Sequence, residues 1–66
     1  MLHTIKCFRS NGEYLFFEKD AQLINEIAKK PIEVSPTGKQ YISIPVAEIY
    51  DLRDRALNFD LFFQIS

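Results

Sequence analysis

Cys7 and His3 are the side chains best suited to form a nucleophile and its base, because a thiol becomes reactive when a nearby imidazole takes its proton. They stand four residues apart in a stretch that reads as a β-strand. A rise of about 3.3 Å per residue puts them on one face but roughly 13 Å apart, beyond direct contact. Cys7 is therefore expected to be a small buried apolar side chain, and His3 a solvent-facing residue.

Ser35-Pro36-Thr37-Gly38-Lys39 contains the Gly-Lys pair of phosphate-binding loops. That pattern also requires a glycine five residues before Gly38, where Glu33 stands, and Ser or Thr after the lysine, where Gln40 stands. A helix should follow the lysine, yet Tyr41 to Ile44 reads as extended, so a hairpin turn is expected. Glu48, Asp51 and Asp54 could perform paired-carboxylate chemistry only if burial or crowding separated their pKa values. Arg53 and Arg55 are interleaved with them, as on an ordinary solvated helix face. One Cys and one His cannot supply the four ligands of a structural zinc site. No catalytic, cofactor-binding or metal-ligating set is expected, and the chain is read as a non-enzyme. The residual enzymatic reading is a site assembled from several copies.

The elements that position these residues start with Asn11-Gly12, set between two apolar runs. A two-residue type I′ turn needs positive φ at both positions, which Asn-Gly tolerates best. The turn pairs Ser10 with Glu13, Arg9 with Tyr14, Phe8 with Leu15, Cys7 with Phe16 and Lys6 with Phe17. Alternation then places Phe8, Leu15 and Phe17 on one face and Ile5, Cys7, Tyr14 and Phe16 on the other. Aromatic side chains on both faces mean either a strand pair covered on both sides or a partner surface.

A helix is predicted over Ala21 to Lys30, N-capped by Asp20, with Leu23, Ile24, Ile27 and Ala28 as its apolar stripe and Pro31 as its stop. Ile32 to Val34 and Tyr41 to Ile44 flank the Ser35–Lys39 turn as a second hairpin. Pro45 suits the first turn of a second helix, Val46 to Leu57, whose stripe is Val46, Ile49, Tyr50, Leu52, Ala56 and Leu57. Asp51 and Arg55 are spaced i, i+4 on it, and Asn58 is a candidate left-handed stop. Residues 59–66 alternate with period two and are read as a strand in which Phe62 points away from Phe59, Leu61, Phe63 and Ile65. A helical continuation is the alternative.

Sixty-six residues make one domain, with a globular composition of 47% hydrophobic and 26% charged residues. So short a chain buries only about 60% of its unfolded surface, which leaves it marginally stable without help. A single cysteine rules out an internal disulfide and suits a reducing compartment. The net charge of -1 provides no driving force for phosphate binding. No apolar run reaches the roughly 18 residues of a membrane span. Met1 to Ser10 lacks the apolar stretch of a signal peptide. A cytoplasmic location is the expectation, with no membrane partner.

These readings combine into a small single α+β domain over residues 1–66, in the order ββαββαβ. An antiparallel sheet of four or five strands is expected, with two helices packed mainly on one face. Six Phe and three Tyr are too many rings for so little interior. The expected function is a protein–protein interaction module, a small regulator, inhibitor or adaptor, docking through hairpin aromatics and the C-terminal strand. Tyr14, Phe16 and Phe62 are the expected partner-binding residues, and the partner is another protein chain, itself included as a homodimer. No small-molecule substrate is inferred. The alternative is single-stranded nucleic-acid binding by the same aromatics with Lys6, Arg9 and Lys39.

Overall fold

A computed structural model describes residues 2–65. Met1 and Ser66, counted above in the N-terminal stretch and the final alternation, lie outside the described residues. The elements are β1 (His3–Ser10), β2 (Glu13–Phe17), α1 (Lys19–Ala28), β3 (Glu33–Val34), β4 (Gln40–Pro45), α2 (Val46–Leu57) and β5 (Leu61–Ile65). They form the expected α+β domain in the order ββαββαβ, with a five-stranded sheet arranged β3-β4-β2-β1-β5.

The first turn follows its chemistry. Asn11 and Gly12 both take positive φ, 48° and 80°, and the ladder pairs Phe8 with Leu15, Arg9 with Tyr14 and Ser10 with Glu13. The second hairpin closes at Gly38, φ 85°, where the Ser35 carbonyl accepts from the Gly38 N–H at 2.8 Å and the Ser35 hydroxyl accepts from the Lys39 N–H at 3.1 Å. Ser35 to Lys39 is thus a turn between β3 and β4. β4 then pairs along the whole of β2, from Glu13 opposite Pro45 to Phe17 opposite Tyr41.

One strand pair departs from the antiparallel expectation. β5 runs parallel to β1, with His3 opposite Leu61 and Cys7 opposite Ile65. A parallel pair needs a connection of about a dozen residues. Everything from Asn11 to Asp60 separates β1 from β5; its last crossover, the twelve residues of α2, carries the chain from β4 across the sheet to the far edge, where β5 enters in the direction of β1.

Helix ends differ from the sequence reading in detail. α1 begins at Lys19, and Glu18 occupies the cap position at φ 55° without a side-chain cap. Asp20 lies in the first turn, where its carboxylate is favoured by the helix dipole. The buried residues of α1 are Ala21, Ile24 and Ile27, while Leu23 faces outward. Lys29 takes the left-handed conformation at the C-terminus and donates its N–H to the Asn25 carbonyl. In α2 the buried residues are Ile49, Leu52 and Ala56, with Tyr50 and Leu57 exposed. Asn58 stays right-handed at φ -69°; the left-handed residue is Asp60, φ 60°, after Asn58, Phe59 and Asp60 each donate three residues back. The final strand therefore starts at Leu61, and Phe59 belongs to the turn.

Both helices pack on the same side of the sheet. Ile5, Cys7, Tyr14, Phe16, Ile42, Ile44, Leu61 and Phe63 from the strands meet Ala21, Ile24, Ile27, Ile49, Leu52 and Ala56 from the helices in one core. Phe16 and Phe63 stack tilted at its centre, ring centroids 5.1 Å apart. Among the described residues no helix is long and apolar enough to cross a membrane.

Candidate functional site

The opposite side of the sheet has no covering segment among the described residues. Alternation sends Phe8 from β1, Leu15 and Phe17 from β2, and Tyr41 and Ser43 from β4 to that side. Three of these rings form a chain. Phe8 meets Phe17 edge to face at 5.6 Å and 67°, and Phe17 meets Tyr41 at 6.3 Å and 42°. Both separations fall within the 4.5–7 Å range in which aromatic pairs attract. Phe8 remains 51% exposed, and Leu15, Phe17 and Tyr41 are half-buried by one another.

A shallow groove of about 520 Å³ runs over this patch. Its floor is Leu15, Phe17 and Tyr41; Ser10, Ser35 and Ser43 add hydroxyls, and Glu13 and Glu33 add two carboxylates. Lys39 reaches over Phe17, its Nζ 5.6 Å from the ring centroid, a cation–π geometry that keeps the ring's outer margin polar.

The expected partner-binding residues divide. Tyr14 is 3% exposed and Phe16 fully buried, because α1 and α2 cover their face. Those two are core residues, and the rings this hairpin leaves outside the core, Phe8 and Phe17, are on its opposite side. Phe62 is exposed as expected, at 44%, on the β5 edge. Sequence alternation groups Phe8, Leu15 and Phe17 on one face; Tyr41 joins them only through the β2–β4 register, which no local signal in the chain encodes.

The residues with chemical potential are dispersed. Cys7 is buried and its thiol is pushed up to about 11, first by burial and then by the negative charge of Asp20. His3 stands outside the core with Nε2 3.9 Å from Asp20 Oδ1. Each carboxylate of α2 lies near a cation: Glu48 by Lys30 at 3.8 Å, Asp51 by Arg55 at 3.6 Å and Asp54 by Arg53 at 3.4 Å. Among the described residues no three His, Cys, Asp or Glu side chains converge as metal ligands. Of the three cations considered for nucleic acid, Lys6 and Lys39 border the open side. Arg9 instead lies over Tyr14 on the helix side, 6.0 Å from its ring centroid.

No protein-family model matches the chain, and no curated protein matches it in sequence.

Proposed function

We propose that this chain is a non-enzymatic protein-binding module that receives a partner protein on the uncovered side of its sheet. The observation that carries this reading is the ring chain Phe8–Phe17–Tyr41, held on the strands with no covering element above it among the described residues and only the Lys39 side chain reaching over Phe17. A contiguous apolar patch rimmed by polar groups is the usual mark of an interaction site, and Phe and Tyr are typical of interface centres. Glu13 and Glu33 in the groove favour an occupant that carries Lys or Arg beside its apolar residues. A reducing, cytoplasmic compartment accords with the single unpaired thiol of Cys7.

Capture from a lysate of the source cells tests it. The wild-type chain should retain a protein that Phe17→Ser and Tyr41→Ser chains release, with circular dichroism showing both variants folded. Equal retention by all three chains sinks the proposal.

Single-stranded nucleic acid is the second reading, favoured by Lys39 over Phe17. Arg9 weakens it by facing the other way, and the carboxylates of Glu13 and Glu33 repel phosphate. Oligonucleotide binding at low salt that falls steeply as salt rises would replace the protein-binding reading; no binding at low salt ends the alternative.

A further inference from the structure

The two edges of the sheet are built differently. β3 is two residues long, carries Glu33, and lies between Pro31 and Pro36. Shortness, charge and nearby proline are the devices that keep an edge from pairing with another chain. β5 has none of them. Leu61-Phe62-Phe63-Gln64-Ile65 is five residues with no charge and no proline, and its outer side bears no strand among the described residues.

Main-chain alternation shows which groups this edge offers. The His3 N–H donates to the Asp60 carbonyl at 2.8 Å, so Asp60 faces β1. Phe62 and Gln64 then turn the same way, and the N–H and C=O groups of Leu61, Phe63 and Ile65 point to the free side. We infer that the chain forms a homodimer in which β5 pairs antiparallel with β5 of a second copy, about a twofold axis at Phe63. Two five-stranded sheets become one continuous sheet.

The sequence of β5 suits its own copy. In this register Phe63 lies opposite Phe63 of the second copy, Leu61 opposite Ile65 and Phe62 opposite Gln64. The outward main-chain groups exchange about six hydrogen bonds. Every helix-side pair is apolar, and no cross-strand position sets like charges together. A recess of about 390 Å³ along the edge is lined by Tyr50 and Arg53 of α2 together with Phe62 to Ile65. Arg53 stacks on Tyr50 at 5.1 Å and pairs with Asp54 at 3.4 Å, so the cation that borders the recess has a counter-charge within its own copy. A 66-residue domain with little interior has much stability to gain from a second copy. The dimer rests on the edge of the sheet and is independent of the docking face proposed above.

Sedimentation velocity of the full chain should show a species approaching twice 7.7 kDa as concentration rises. Phe62→Glu combined with Gln64→Glu sets carboxylate opposite carboxylate at both cross-strand positions of the twofold, while within each copy the carboxylate at position 64 faces Lys6 of β1 as an opposite charge. It should give a monomer that circular dichroism shows folded. Phe17→Ser, on the docking face, should leave the dimer intact. For the register, a Phe62→Cys chain mixed with a Gln64→Cys chain should form a linked heterodimer on mild oxidation, because a non-hydrogen-bonded pair holds its Cα atoms about 4.5 Å apart. Neither chain alone should link, and buried Cys7 does not compete. A strict monomer overturns the inference, as does a dimer that survives the double glutamate variant or is lost with Phe17→Ser.

Discussion

Phe16 and Phe17 are neighbours in the chain and occupy opposite sides of the sheet. The ring of Phe16 stacks on Phe63 beneath the helices at 5.1 Å, and that of Phe17 meets Phe8 on the uncovered side at 5.6 Å. One belongs to the core and the other to the candidate docking surface. Truncation should separate these roles. Phe16→Ala leaves a cavity at the centre of the core and is expected to cost about 3–5 kcal/mol, enough to unfold so small a domain. Phe17→Ala should cost about 1 kcal/mol and leave a folded chain. Urea unfolding of both variants checks the difference, and equal losses would contradict the division of faces.

Gly12 should resist replacement for a backbone reason. Its φ is 80°, and a Cβ built there meets nothing within 4 Å, so the cost of Gly12→Ala is conformational and not a clash. A left-handed alanine is expected to lose about 1–2 kcal/mol. The amide of Val46 donates to the Gly12 carbonyl at 3.0 Å, so the loss should also loosen the start of α2. Hydrogen exchange at Val46, compared between the two chains, reads this coupling.

Cys7 should be unreactive while the chain is folded. Burial and the Asp20 charge raise its pKa to about 11 from 9.0, so the native thiol stays protonated where an unfolded one ionises. A group raised on folding favours the folded state below its unfolded pKa, and that contribution is lost as pH climbs toward the folded value. Wild-type stability should therefore fall between pH 9.0 and about 11 by more than that of Cys7→Ala. A thiol reagent at neutral pH should label the unfolded chain and spare the native one.

Asp51 and Arg55 are expected to matter little. Their 3.6 Å ion pair lies exposed on α2, where an i, i+4 pair contributes about 0.3–0.5 kcal/mol that salt screens. Asp51→Ala should shift the urea midpoint slightly at low salt and not at all at high salt. A loss as large as that of Phe16→Ala would mean that α2 is held by charge and not by Ile49, Leu52 and Ala56.

The first hairpin, the second hairpin, both helices and the final strand are legible in the sequence because each depends on neighbours a few residues away. Asn11-Gly12 sets positive φ and with it the Phe8–Leu15 register; Pro45 opens α2; period-two alternation assigns Phe16 and Phe17 to different sides. Boundaries shifted where capping chemistry is degenerate, as at Glu18 and Asp60, which adopt left-handed backbone although neither is glycine.

Which of two apolar faces would be covered was not a local question. Both sides of the β1–β2 hairpin carry rings, so the side that received α1 and α2 was chosen by how the connections from β2 and β4 cross the sheet. That choice buried Tyr14 and Phe16 and left Phe8 and Phe17 outside. The parallel seating of β5 beside β1, and the β2–β4 register that adds Tyr41 to the patch, likewise arise from contacts between distant segments. Side-chain alternation and turn chemistry act over a few residues, whereas the path of a crossover is settled by the packing of the whole chain. Residue type and spacing therefore fix the elements and the two faces of each strand, while long-range packing assigns one face to the interior and the other to the surface.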